Sequence, residues 1–171
     1  MDLTKKREIK KMKAVILAAG IGERMRPLTS TRPKVMLPIK GKPFLDYVLE
    51  SLKESGIEEA TIVVGYRKED IINRYADGKE FGIKIEYAEQ KEQKGTAHAV
   101  SFTENNDTFV LINGDVYCDS NSLTDIIKFH RENNSKATVG TYKVEDAASY
   151  GVIKTKNQKI EKIVEKPKET Y

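Results

Sequence analysis

Apolar and polar positions follow two different rhythms along this chain. Runs with strand character occupy Ala14–Ala18, Thr61–Val64, Ile83–Tyr87, Phe109–Ile112, Ala137–Val144, Gly151–Thr155 and Ile160–Val164. Apolar residues three and four apart predict helices over Phe44–Glu54, Lys68–Tyr75, Thr96–Thr103 and Leu123–Glu132. Gly41, Gly56 and Gly78 punctuate these segments as stops and turns. Strand followed by helix, repeated, predicts an α/β architecture: three layers with a mostly parallel, mixed sheet between helices. The run "FVLI" at 109–112 is apolar throughout, which predicts a strand buried on both faces. Ligands of such open sheets sit beyond the C-terminal ends of the strands.

Composition narrows this picture only a little. A chain of 171 residues is long enough for one well-cored domain, and it shows no repeat or low-complexity linker. We therefore expect a basic N-terminal extension over 1–12 and a single domain over 13–171. A formal charge of +4, spread along the chain, gives no reason to expect nucleic acid. The lone cysteine, Cys118, cannot form a disulfide within the chain, and a cytoplasmic protein is the expectation. "KKREIKKMK" before "AVILAAG" has the first two parts of a signal peptide but is followed by "GERMR" with no cleavage region. No apolar run approaches the roughly 20 residues that cross a bilayer, so no membrane contact is expected.

The chemistry concentrates after the first strand. "LAAGIGERMRPLTSTRPKVMLPI", Leu17 to Ile39, sets Arg24, Arg26, Arg32 and Lys34 against one acid, Glu23. Gly20 and Gly22 let backbone amides approach an anion closely, arginine offers a planar fork for phosphate oxygens, and lysine adds a point charge. The set reads as a polyphosphate site. It is not a P-loop, because no Gly-Lys-Ser/Thr opens a helix. Nor is it a dinucleotide fingerprint: position 25 is methionine, and Gly65 and Tyr66 stand where an acid is needed after the second strand. "NGD", Asn113–Asp115, follows the "FVLI" strand, so a carboxylate is expected at the same crevice.

The stretch 17–39 resembles the signature of the sugar-1-phosphate nucleotidylyltransferases. Three further motifs match in order: "QKEQKGTAHA" at 90–99, "LINGDVY" at 111–117 and "YGVIKT…IVEKP" from Tyr150 to Pro167. The resemblance implies a Rossmann-like fold and transfer of a nucleotidyl group to a sugar-1-phosphate. It implies that backbone from Leu17 and Ala18 through Ala19, Gly20 and Gly22 holds the nucleotide, with Arg24 on the β- and γ-phosphates and Lys34 near the α-phosphate. Gln90 would read the pyrimidine, with Gly95 and Thr96 beside base and ribose. Asp115 would ligate Mg²⁺, Gly151 and Glu165 would hold sugar hydroxyls, Asn113 would belong to the same sugar-phosphate site, and Lys166 would hold the sugar phosphate. Catalysis would then rest on Arg24, Lys34, Asp115 and Lys166, with no histidine or carboxylate base. None is needed, because a phosphate monoester with a second pKa of about 6 is already anionic at neutral pH.

The same resemblance favours UTP or dTTP as nucleotide, and N-acetylglucosamine-1-phosphate or glucose-1-phosphate as the sugar. The alternatives are cytidylyl or guanylyl transfer to phosphocholine or mannose-1-phosphate, or a catalytically silent regulatory relative. Gln93 is expected at the surface, His98 and His130 as structural or surface residues, and Cys118 as inert. Family members usually carry a longer domain with a second metal-binding aspartate after Glu-Lys-Pro. A truncated chain is therefore expected here, with a homo-oligomer as the state of the full-length protein.

Overall fold

The computed structural model describes residues 12–104 and 107–167. The chain divides into two compact units, 1–138 and 139–171. The first is built on β1 (Lys13–Leu17), β4 (Glu59–Val64), β5 (Lys84–Glu89) and β6 (Phe109–Asn113), in spatial order β5-β4-β1-β6. All three pairings are parallel, with Ile16 opposite both Ile62 and Ile112. Helices α1 (Phe44–Glu54), α2 (Lys68–Tyr75), α3 (Thr96–Val100) and α4 (Ser120–Glu132) supply the flanking layers of a Rossmann-like α/β fold. None of the described helices is long and apolar enough to cross a membrane.

Alternation along the strands divides the core in two. Ala14, Ile16, Ile62, Val64 and Ile112 point to the larger core, where they meet Leu45, Val48, Leu49 and Leu52 of α1, Ile71 and Tyr75 of α2, and Leu123 and Ile127 of α4. Val15 and Val63 face the smaller one, closed by Ala99 of α3 and by Ala19. In α1 the apolar residues recur at three and four positions, which is why this helix follows the sequence reading from end to end. Asp46 sits among them, 3% exposed, and is matched by Arg74 at 2.8 Å and the Tyr75 hydroxyl at 2.7 Å. That network ties α1 to α2.

Several elements differ from the sequence reading. Helix α4 starts three residues before Leu123, because the Asp119 carboxylate caps it by accepting from the amides of Asn121 and Ser122. The "FVLI" strand is not buried on both faces: Leu111 is 45% exposed, and only Ile112 is buried. β6 lies at the sheet edge with β1 as its one neighbour among the described residues. A short hairpin of β2 (Pro38–Ile39) and β3 (Lys42–Pro43) lies in a stretch where no strand was expected.

In the second unit, β7 (Gly151–Lys156) and β8 (Lys159–Glu165) pair antiparallel, with a register irregularity at Lys154/Thr155. The expected strand over Ala137–Val144 does not form. β-like composition makes a strand only where another strand takes its hydrogen bonds, and none does so here among the described residues; Val139 and Tyr142 stay exposed.

Candidate active site

Three parallel strands end at one place. Beyond Leu17 of β1, Glu89 of β5 and Asn113 of β6, a cleft of about 340 Å³ is lined by Leu17, Ala18, Ala19 and Gly20, by Gln90, Gln93, Gly95, Thr96 and Ala99, and by Asn113 and Asp115. Lys34 and Val35 complete the wall. A second hollow of about 650 Å³ adjoins it, bounded by Gly20–Met25 and sharing Gly20, Lys34 and Gln93 with the first. Ten residues assigned to nucleotide, metal or sugar phosphate therefore line the cleft; Gly22 and Arg24 line the neighbouring hollow.

Local structure explains how the loop is presented. Gly22 adopts φ +69, a left-handed conformation that glycine takes without steric cost, and its carbonyl accepts from the Thr29 hydroxyl at 2.8 Å. A Cβ on Gly22 would stand 3.1 Å from both Lys34 Cβ and Thr29 Cγ2, so the glycine also lets Lys34 close over the loop. Thr29, 1% exposed, is held further by its own carbonyl, which accepts from Tyr66 at 3.2 Å. Gly20 has open space on its Cβ side. Lys34 opens a 3-10 turn (Lys34–Met36) anchored by buried Val35.

Charge is distributed unevenly around the two hollows. The Lys34 ammonium is ion-paired with the Asp115 carboxylate, which joins residues 81 positions apart across the cleft, each side chain a little over one third exposed. Arg24, Arg26 and Arg32 are exposed and have no carboxylate within ion-pair distance among the described residues. The outer hollow thus presents an unneutralised guanidinium beside bare amides. Burial and the neighbouring Asp119 charge push the Cys118 thiol up, away from the reactive thiolate.

Gln90 is the deepest polar group in the cleft, 5% exposed. Its backbone amide donates to Val64 at 2.9 Å, and its side-chain amide donates to the Gly95 carbonyl at 3.2 Å and lies 3.1 Å from His98 Nδ1. Gln93 is exposed, as expected, but not idle: its amide donates to the Ala19 carbonyl at 2.6 Å, and it lines both hollows.

Sequence reasoning missed Gly65 and Gly114 as site residues. A Cβ on Gly65 would lie 3.0 Å from Ala19 Cβ, the Ala19 carbonyl and the Gln90 carbonyl. The end of β4 therefore lets the glycine loop and the Gln90 segment approach. A Cβ on Gly114 would lie 3.0 Å from the Leu17 carbonyl and from Val35 Cγ1, and its amide donates to Leu17 at 2.8 Å. Gly114 thereby sets Asp115 against the end of β1. The visible signal was the glycine at 65 where a dinucleotide fold would carry an acid.

Three expected residues belong to the second unit. Gly151 and Glu165 are cross-strand partners, and the Glu165 carboxylate lies 3.0 Å from where a Gly151 Cβ would stand. Lys166 follows with φ +44, its amide donating to Tyr150 at 2.9 Å.

No cluster of three metal-binding side chains occurs among the described residues. Asp115 is a single acceptor-only carboxylate at the cleft. That donor set fits a cation such as Mg²⁺, which takes one or two carboxylates and fills its remaining places with phosphate and water oxygens.

Comparison with known proteins gives the family. The nucleotidyl transferase family model matches residues 13–171. Over 92% of its length the chain is 42% identical to the UTP--glucose-1-phosphate uridylyltransferase AglF of Haloferax volcanii and 37% identical to a mannose-1-phosphate guanyltransferase of Yarrowia lipolytica. It spans 66% and 46% of those two proteins, respectively. A crystal structure of a provisionally assigned glucose-1-phosphate thymidylyltransferase from Bacillus anthracis superposes with a TM-score of 0.77 at 30% identity, over 92% of this chain and 65% of that one. The chain belongs to the nucleotidyl transferase family, that of the sugar-1-phosphate nucleotidylyltransferases.

Proposed function

We propose that this chain carries the nucleotide site of an enzyme that condenses a nucleoside triphosphate with a sugar-1-phosphate, releasing pyrophosphate. The observation that carries the reading is the meeting of Lys34, Asp115 and the glycine loop at one cleft, with Arg24 unneutralised next to it. Amides of the loop and the Arg24 guanidinium receive the β- and γ-phosphates. Lys34 exchanges its carboxylate partner for an α-phosphate oxygen, where negative charge gathers as the new bond forms. A sugar-1-phosphate oxygen, already anionic, attacks the α-phosphorus. The bond to the β-phosphate oxygen breaks, and its electron pair leaves with pyrophosphate. No proton has to move, so positioning and charge neutralisation suffice.

Asp115 would hold Mg²⁺ together with phosphate oxygens, and the ion would add charge neutralisation there. Lys166, Glu165 and Gly151 are proposed for the sugar phosphate on the strength of the motif alone. UTP and dTTP are the proposed nucleotides, with glucose-1-phosphate or N-acetylglucosamine-1-phosphate as acceptor. The relatives' names speak of uridylyl, guanyl and thymidylyl transfer, and uracil, thymine and guanine all carry a ring N–H. A buried amide such as Gln90 suits the reading of that edge. The test is pyrophosphate release over a grid of nucleoside triphosphates and sugar-1-phosphates. Release with UTP or dTTP and one of the two sugars is expected. Release confined to CTP with a non-sugar phosphate would overturn the substrate assignment.

A further inference from the structure

The Gln90 carboxamide is fixed by two neighbours on the segment that follows it. The Gly95 carbonyl can only accept, so the amide nitrogen, not the oxygen, must face it at 3.2 Å. His98 Nδ1 lies 3.1 Å from the same nitrogen. A contact between an NH₂ group and a ring nitrogen is favourable only if the ring nitrogen offers its lone pair, which places the imidazole proton on Nε2. Both hydrogens of the Gln90 amide are then engaged. The His98 ring is itself held edge-on against Phe102, with centroids 4.8 Å apart.

What remains is the amide oxygen. Gln90 is 95% buried by its 5% exposure, and its Oε1 has no hydrogen-bond partner among the described residues. Every fully enclosed side-chain nitrogen or oxygen has a partner, so Oε1 is not sealed in the protein. Gln90 lines the cleft. Water can satisfy an oxygen that is not sealed in, so the cost falls on a base that displaces this water without offering a donor in its place.

We propose that His98 is a positioning residue: with the Gly95 carbonyl it locks the Gln90 carboxamide so that Oε1 alone faces the cleft, and the site accepts nucleotides whose base carries a ring N–H and rejects those whose base presents a lone pair there. Uracil, thymine and guanine have that N–H; cytosine and adenine have a bare ring nitrogen at the equivalent edge. Against cytosine, two lone pairs oppose each other and both stay unsatisfied. This inference rests on the nucleotide-binding reading above and adds to it the device that sets base choice.

Titration calorimetry of the chain with UTP and with CTP, in Mg²⁺, tests it with three proteins. The wild type should prefer UTP by roughly tenfold or more, the usual worth of one hydrogen bond gained against one left unmade. His98→Phe keeps the ring against Phe102 but removes the acceptor, so the Gly95 carbonyl alone holds the Gln90 amide, the whole carboxamide is freer to rotate about its last torsion, and the preference should fall several-fold. His98→Asn returns an acceptor oxygen near the Nδ1 position and should restore most of the preference. A UTP preference that survives intact in His98→Phe overturns the role of His98 and leaves nucleotide binding standing. A wild type that binds neither nucleotide overturns both readings. The nitrogen-15 shifts of His98 in the wild type provide a measurement independent of variant folding: an Nε2–H tautomer is expected, and an Nδ1–H tautomer would overturn the proposal.

Discussion

Arg24 and Lys34 lie ten positions apart in one loop, yet they meet different electrostatic environments. Lys34 has a carboxylate partner in Asp115, whereas Arg24 has none among the described residues. On the proposed reading, phosphate competes with Asp115 for Lys34 but meets Arg24 directly. Removing a cation that touches developing charge typically costs a factor of about 10²–10³ in turnover. Arg24→Ala should lower pyrophosphate release by that amount, and a loss below about threefold would show that the triphosphate lies elsewhere. These side chains were legible in the sequence because glycine, arginine and lysine in that order carry their chemistry locally. Thr29 was not, since its role depends on the Gly22 carbonyl seven residues away. Gln93 likewise looked like a surface glutamine, and only the fold brings the Ala19 carbonyl to it.

The cleft is made by the ends of elements rather than by their bodies, and glycines decide how closely those ends approach. Gly65→Ala would push a methyl against Ala19 and Gln90 at 3.0 Å, and both neighbours carry cleft-forming backbone. We expect the helical content to survive and UTP affinity to fall by roughly tenfold, as overpacking of about 1–3 kcal/mol is relieved by opening the cleft. Unchanged affinity in a folded variant would show that the approach of loop and Gln90 segment is not needed. Elements with apolar residues three and four apart, α1 and the shorter α2, were readable to the residue. The hairpin β2–β3 was not, because two-residue strands have no period to detect. The segment 137–144 failed in the opposite way, having strand composition without a strand to pair with.

At the scale of the whole molecule, stability and binding draw on different parts of the chain. The large core and the Asp46–Arg74–Tyr75 network hold α1 and α2 together on one face of the sheet. Burial pushes Tyr87 up to about 12, helped by the Asp77 charge, and raises Tyr75 through burial and its bond to Asp46. Since both folded values lie above the unfolded tyrosine value of about 10, the stability they contribute is complete below that pH. It is lost as pH rises from there through the folded values. An alkaline titration should show phenolate absorbance rising in two phases, the later one coinciding with loss of helical ellipticity. A single early phase with the fold retained would contradict the burial of Tyr75 and the half-buried placement of Tyr87.

A triphosphate held by the loop after β1 is the central claim, and comparing UTP with uridine tests it most directly. Calorimetry of the wild-type chain in Mg²⁺ should find UTP bound on the order of a hundredfold tighter than uridine or more, because the charge-assisted contacts to phosphate supply most of the affinity. Equal affinity for the two, or binding of neither, would contradict it.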